Sequence, residues 1–359
     1  MADSLVDIPD YARLEHVRPI PRLRAWSRLT PEEFSVTYRD QPVIFEGLVK
    51  QWPAYGKWSR EFLVGAVGSE TLVDVRRPMA LGSHQHQWAA KVPLGVFARE
   101  VQTTLGLYLA EWYAHPRHTA LLADIDPVPD FLDDDWLASI PNDAFNTLHR
   151  TPVYWGGFGS ATDCHFDNSN TVTWNASIMG TKRWLLFSGR TFPEPTWERK
   201  RASHRLIRSG IATPSNHTLK FSGFVTVDGI EKYVAGKLHD LPENLTFYWA
   251  DVAAGDLIYV PWRWFHQVHN VTESISVSRY YVSRENYLAY LTFLRDISRT
   301  ATVAMRLLIG SKRARRVVGS ARARRVFSHG VGKVLFSRLA RITTGALVSA
   351  QGWLDIALG

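Results

Sequence analysis

The sequence predicts a mainly β protein with flanking helices: short strands in a sandwich or barrel through its middle, and a helical C-terminal segment. Three observations carry this. Short β-type runs recur after Val153, separated by clusters of Gly, Pro, Asn and Asp. Helix-start signals stand upstream of them. Beyond Asn286 the apolar residues fall at helical spacing, and Gly and Pro nearly vanish until Gly310.

These patterns divide the chain into an α/β lead-in over residues 1–105, a β core over 106–285 and a helical segment over 286–359. In the lead-in, Thr30-Pro31-Glu32-Glu33 combines a capping Thr, Pro at the first helical position and Glu three residues after the cap. A helix starts there. Gln41–Phe45 reads as a short buried strand, and Ser59 caps a helix that opens around Trp58–Leu63. Val73–Arg76 alternates apolar and polar like a half-buried strand. Residues from about Pro127 to Asn142, acidic and Pro-containing, read as loop and short helix. In the core the β-type runs are Val153–Trp155, Val172–Ile178, Arg183–Phe187, Phe221–Val227, Leu257–Val260 and Ser274–Val282. Ala254-Gly255-Asp256 is a turn feeding one strand, and Pro261 closes it. Tyr287, Tyr290, Leu291 and Leu294 open the terminal helices, with breaks expected near Gly319, Gly330 and Gly345.

Composition sets the bounds. The chain has 359 residues, 45% hydrophobic and 21% charged, enough for one or two substantial cores. Its 14 Trp residues argue against disorder. A single cysteine, Cys164, excludes an internal disulfide framework and any cysteine-rich zinc or iron–sulfur site. A reducing compartment fits that usage. The N-terminus lacks a basic-then-apolar signal pattern, and apolar stretches stay below the ~18 residues of a spanning helix. The expectation is a soluble intracellular protein, cytoplasmic, or nuclear in a eukaryotic cell. Charge is uneven: of 42 Lys and Arg, 12 lie between Ile297 and Leu354, where there is no Asp or Glu. The remaining 30 face 34 acidic residues, so the positive excess belongs to the C-terminal segment.

The sharpest local feature is Asp163-Cys164-His165-Phe166-Asp167. On a strand, alternate side chains face one way, so His165 and Asp167 can grip one ion while Cys164 and Phe166 face away. About a hundred residues later, a second β-type cluster carries His266 and His269. An offset of three on a strand points the two imidazoles to opposite faces, so only one can join the first pair. Two His and one carboxylate form the facial triad of non-haem iron(II) oxygenases. By itself an H-x-D tripeptide is common. The β setting and a basic residue give it context: Lys182 sits in an apolar, aromatic run and must find an anion, face solvent, or bear the cost of burial.

The stretch from Tyr154 to Tyr281 resembles the Jumonji-C branch of the cupin superfamily, the iron(II)- and 2-oxoglutarate-dependent oxygenases. The resemblance rests on Thr162, His165 and Asp167; on Trp174-Asn175-Ala176 followed by Gly180-Thr181-Lys182-Arg183-Trp184; and on Gly255-Asp256 through Pro261 to Trp264-Phe265-His266. Upstream, Pro42–Phe45, Trp52-Pro53-Ala54 and Trp58 are similar to the lead-in of its hydroxylase-type members, the Jumonji lysyl hydroxylase among them. The resemblance implies a double-stranded β-helix (jelly-roll) core and the iron ligands His165, Asp167 and His266, the last because the family places its ligand directly after the aromatic pair. It implies Lys182 as partner of the distal carboxylate of 2-oxoglutarate. Thr162, Asn175 and Ser278 would add hydrogen bonds, with Tyr108 and Asn270 as further candidates. The activity implied is hydroxylation of a C–H bond in a protein side chain or small molecule, with O2 and 2-oxoglutarate consumed and succinate and CO2 released. Demethylation begins with the same chemistry. Tyr154, Trp155, Trp174 and Trp184 are available for an aromatic wall, more than half of them expected in the core.

Two other classes of function are readable. One is a metal-binding cupin with no use for Lys182. The other is a polyanion-binding adaptor acting through Lys312–Arg316 and Arg322–Arg325, which lack the interleaved aromatics of a stacking platform but could contact nucleic acid or an anionic surface by charge. Against that stands helical packing, with Val317, Val318, Val326, Leu335, Phe336 and Leu339 on the body or pairing two protomers. Substrate choice is expected in the loops around 80–88 and 189–242.

Overall fold

The computed structural model describes residues 8–78, 86–88, 91–114, 118, 120–139, 151–194, 199–214, 223–297 and 299–318. The N-terminal elements are β1 (Val17–Pro19), β2 (Arg22–Leu23), α1 (Pro31–Thr37), β3 (Val43–Phe45), α2 (Ala54–Lys57) and α3 (Arg60–Val67). Next come β4 (Leu72–Val73), β5 (Arg76–Pro78), β6 (His86–Trp88), β7 (Val92–Pro93), α4 (Leu94–Glu100), β8 (Tyr108–Trp112) and α5 (Ala120–Ala123). The core follows with β9 (Val153–Gly156), β10 (Ala161–His165), β11 (Val172–Met179) and β12 (Thr181–Ser188). After it lie α6 (Arg199–Arg208), β13 (Ala212–Pro214), β14 (Gly223–Val225) and α7 (Val227–Val234). The chain then runs through β15 (Phe247–Ala253), β16 (Leu257–Val260), β17 (Trp264–Asn270) and β18 (Ser274–Tyr281) to α8 (Tyr287–Ile297), α9 (Arg299–Ile309) and α10 (Lys312–Val318).

The mainly β class with flanking helices is what the structure shows. Two sheets dominate. One has the order β1-β15-β12-β17-β10, the other β2-β3-β16-β11-β18-β9-β8-β5-β6. The core strands pair antiparallel, as in a jelly roll, and each side-chain row alternates between the two faces of its sheet. On the large sheet Trp155, Trp174, Ala176, Ile275, Val277 and Tyr259 join the core beneath the N-terminal helices. On the small sheet Leu185, Phe187, Phe247 and Phe265 pack with Ala202, Leu206 and Ile230 of α6 and α7. Between the sheets, Trp184, Leu186, Ala250, Val252, Ile258, Val260 and Val268 form a third cluster. Polar residues occupy the rest of that interior.

The helix-start signals are realised. Thr30 and Glu33 form a reciprocal capping box on α1, and Ser59 accepts from the Phe62 amide to cap α3. Three expectations need correction, and one strand was not expected. Val73–Arg76 is not one strand: Val73 belongs to the small β4–β7 ladder and Arg76 to the large sheet, because alternation reports a buried face and not a partner. Of Phe221–Val227 the described residues give β14, after which Thr226 caps α7 through the Gly229 amide and Val227 opens the helix. The 189–242 stretch is not only loop. It carries α6, the β13–β14 hairpin and α7; the apolar stripe Ala202–Leu206 of α6 is hidden in sequence by the basic residues around it. β15, whose Phe247, Tyr248 and Trp249 are a visible β signal, pairs with β12 along its whole length. The loop around 80–88, apart from 86–88, and everything past Val318 lie outside the described residues.

At the C-terminal side, α8 is fastened to the segment that follows Asp167. Asn286 Nδ2 donates to the Asn170 carbonyl at 2.8 Å, and Asn170 Nδ2 donates to the Ala289 carbonyl at 2.8 Å. No described helix is long and apolar enough to cross a membrane.

Candidate metal centre

The candidate residues sit where the pleat turns them into the space between the sheets. On β17, His266, Val268 and Asn270 face inward, while Phe265, Gln267 and His269 face the α6–α7 side. β12 lies beside it in register, pairing Lys182 with Asn270, Trp184 with Val268 and Leu186 with His266. β10 joins the other edge of β17, and a register shift between Thr162 and His165 lets both point inward despite their odd spacing. The strand ends at His165, so Asp167 follows it rather than lying on it. Its carboxylate nevertheless reaches the two imidazoles.

His165 Nε2 is 3.9 Å and His266 Nε2 3.8 Å from Asp167 Oδ1, with the rings 4.3 Å apart between centroids. One ligand atom from each of the three residues lies within 4.8 Å of the others. The surrounding hydrogen bonds prepare them. Nδ1 of His165 lies 2.7 Å from the Asp163 carbonyl and Nδ1 of His266 3.1 Å from that of Trp264. A carbonyl can only accept, so each Nδ1 carries a proton, which makes Nε2 the ring atom available to a ligand. Thr173 donates to Asp167 Oδ2 at 2.5 Å, which leaves Oδ1 for the space between the imidazoles. Thr173 was not among the sequence candidates; its signal is the inward row Thr173-Asn175-Ser177 on β11. The donor set fits a divalent transition ion, with two imidazoles and one carboxylate grouped together.

His269 takes no part in this cluster. It is fully buried, with Nε2 3.0 Å from Gln267 Nε2 and its ring 5.6 Å from Phe224. Cys164 also faces away, and burial pushes its thiol well above the usual range.

A cavity of about 500 Å³, open mouth included, adjoins the cluster. Its walls bring together Tyr108, Thr162, His165, Asn175, Lys182, His266 and Ser278. The Lys182 ammonium donates to Asn270 Oδ1 at 2.7 Å and lies 5.6 Å from the Tyr108 ring centroid. Among the described residues no carboxylate pairs with it, and burial lowers its pKa from 10.5 to about 7. Asn270 is held in turn by Ser160 and Ser274. Asn175 donates to Ser278 at 2.8 Å and to Ser276 at 3.2 Å, while its Oδ1 is buried with no partner among the described residues. Trp184 Nε1 is equally unpartnered. A buried cation without a counter-charge and an unanswered indole N–H beside one cavity fit an acidic organic guest.

Of the four aromatics available for a wall, Tyr154 and Trp184 line this cavity, and Trp155 and Trp174 lie in the core behind the large sheet. Tyr154 and Tyr280 share a 2.6 Å hydroxyl–hydroxyl hydrogen bond at the lining, and burial raises both pKa values well above the usual phenol range. Arg76 and Glu111, also unsuspected from sequence, contribute charge there.

Comparison with known proteins agrees with this geometry. Residues 31–287 match the family model described as a cupin-like domain. The chain is similar to the arginine-specific demethylase JMJ22 of Arabidopsis thaliana, 28% identical over 274 residues, which cover 74% of this chain and 47% of the relative. It is similar to the human 2-oxoglutarate and iron-dependent oxygenase JMJD4, 26% identical over 190 residues covering 53% and 40%. It is 24% identical to the lysine-specific demethylase JMJ21 of Arabidopsis thaliana over 71% of this chain and 25% of that one. The chain thus spans about half or less of the relatives it matches. With the model match running from α1 through β18 and taking in every strand that carries a candidate ligand, the chain belongs to the family of cupin-like domains.

Proposed function

We propose that the chain is an iron(II)- and 2-oxoglutarate-dependent dioxygenase that hydroxylates a C–H bond of a protein side chain or small molecule, releasing succinate and CO2. One observation carries this reading: the His165–Asp167–His266 cluster opens onto the same cavity as a buried Lys182 that has no counter-ion among the described residues. Iron(II) held by such a set keeps positions open for a cosubstrate and oxygen, and supplies the redox chemistry.

The remaining work falls to the chain. Carbonyl-bonded Nδ1 groups hold His165 and His266 with Nε2 inward, and Thr173 fixes the orientation of Asp167. Lys182, steadied by Asn270, receives the distal carboxylate of 2-oxoglutarate. Asn175, Ser278, Thr162 and Tyr108 supply hydrogen bonds around it, and Trp184 and Val268 keep water from that wall. The similarity to JMJD4, a 2-oxoglutarate and iron-dependent oxygenase, supports the reading.

Under anaerobic conditions, addition of iron(II) and then 2-oxoglutarate is expected to produce a visible metal-to-ligand charge-transfer band that His165→Ala abolishes. Admission of oxygen should then release succinate. No band from properly metallated protein would return the chain to a metal-binding cupin without this chemistry. The demethylase names among the relatives favour a second reading of the substrate, in which the hydroxylated carbon is an N-methyl group. Formaldehyde release from a methylated arginine peptide separates the two.

A further inference from the structure

The C-terminal helices carry two apolar faces where packing explains only one. Tyr290, Leu291, Phe293 and Leu294 of α8 and Met305 of α9 are buried. On the outside, Leu288 is 75% exposed, Val303 56% and Leu307 73%. α8 and α9 form a hairpin, with Gly310 beside the Tyr287 hydroxyl, so Leu288 and Leu307 stand at the same end, with Val303 one turn away. The same helices expose five cations: Arg299 and Arg306 on α9, and Lys312, Arg313 and Arg316 on α10. Among the described residues no carboxylate pairs with any of these five, whereas Arg295 is matched by Asp296 and Arg315 stacks on Trp136. No Asp or Glu occurs between Ile297 and Leu354, although the rest of the chain is net acidic.

We propose that the outer face of α8–α10 docks on an anionic lipid bilayer, lying on its surface. A helical surface with large apolar side chains and cations that no described carboxylate pairs fits the interface between acyl chains and negative headgroups, where both features are satisfied together. Charge complementarity selects this occupant over a second copy packed face to face, since that would press the five cations of each copy together while the one acid of α8, Asp296, is already matched by Arg295. The apolar side chains select it over nucleic acid, whose phosphate backbone has no use for three exposed aliphatics and which finds no exposed aromatic among them to stack on.

The test is co-sedimentation of the full chain with vesicles of phosphatidylcholine alone or mixed with phosphatidylglycerol. Binding is expected only to the anionic vesicles, weakening as salt rises. The triple variant Leu288→Ser, Val303→Ser, Leu307→Ser should keep its circular dichroism spectrum and lose roughly tenfold or more of the binding, because its apolar anchors no longer enter the interface. Arg306→Glu with Arg313→Glu should weaken binding and flatten its salt dependence. The proposal is overturned if anionic vesicles do not pellet the protein, if neutral vesicles bind equally, or if the triple variant binds unchanged. It is likewise overturned if that variant converts a dimer to a monomer in ultracentrifugation, or if duplex nucleic acid binds the chain as tightly and without regard to the three substitutions. The readout is binding, so it stands apart from the outcome for the catalytic reading.

Discussion

Lys182 holds its ammonium out of water against a neutral amide, and that has two measurable consequences. In the metal-free, ligand-free protein its pKa is depressed from 10.5 to about 7, whereas the unfolded chain keeps the ordinary value. Between those limits the unfolded state binds more protons, so stability should rise with pH from about 7 to about 10.5. Urea denaturation of the parent beside Lys182→Met checks this; the variant should lack that rise and be the more stable of the two at pH 6. A dicarboxylate beside Lys182 restores its charge, so 2-oxoglutarate binding above pH 7 takes up a proton. Affinity should then fall by roughly tenfold per pH unit above about pH 7. Lys182→Ala should bind weakly with no such profile, and a parent-like affinity would remove Lys182 from its proposed role. Thr173 tests the other end of the cavity: Thr173→Val frees Asp167 Oδ2, and iron(II) affinity should drop by about 10–100-fold in a metal titration.

At the scale of elements, β17 separates two histidines that sequence spacing leaves as rivals. His266 faces the ligand cluster, and His269 faces Gln267 and Phe224 on the far side of the sheet. His266→Ala should abolish iron binding. His269→Ala should leave its stoichiometry intact and lower the unfolding midpoint, because the substitution opens a cavity in a buried polar network. The alternation that makes this argument is readable in the amino acids: Trp174 and Ala176 pack outward on β11 while Thr173, Asn175 and Ser177 turn inward. The bulge in β10 is not readable, because nothing in Thr162–His165 announces the residue that slips register.

Across the whole molecule, the space between the sheets is divided into an apolar packing cluster and a polar cavity, and the C-terminal hairpin is tied to the Asp167 segment. Asn286 makes that tie by donating to the Asn170 carbonyl and accepting from the Ser283 amide at 2.8 Å. Asn286→Ala leaves buried polar groups unanswered at a cost of about 1–3 kcal/mol, measurable by denaturant titration. It should also reduce iron affinity, through loosening of the chain that follows Asp167.

The sequence alone determined the β class of the core, the capped helices of the lead-in and the small set of residues with metal-ligand chemistry. Capping, pleat alternation and ligand type are local properties, written within a few residues of one another. Only the tertiary structure decided which face of each strand became the interior. That choice depends on what covers the opposite face, and for the small sheet the cover is α6, the β13–β14 hairpin and α7, of which the sequence shows only the β-type run around Phe221–Val227. The same packing turned Trp155 and Trp174 into core, brought Thr173 to Asp167 and left Lys182 without a carboxylate partner among the described residues. The burial of Trp155, Trp174 and Lys182 is a long-range outcome, because it requires strands distant in sequence to be seated together, whereas Thr173 reaches Asp167 across six residues through the turn between β10 and β11.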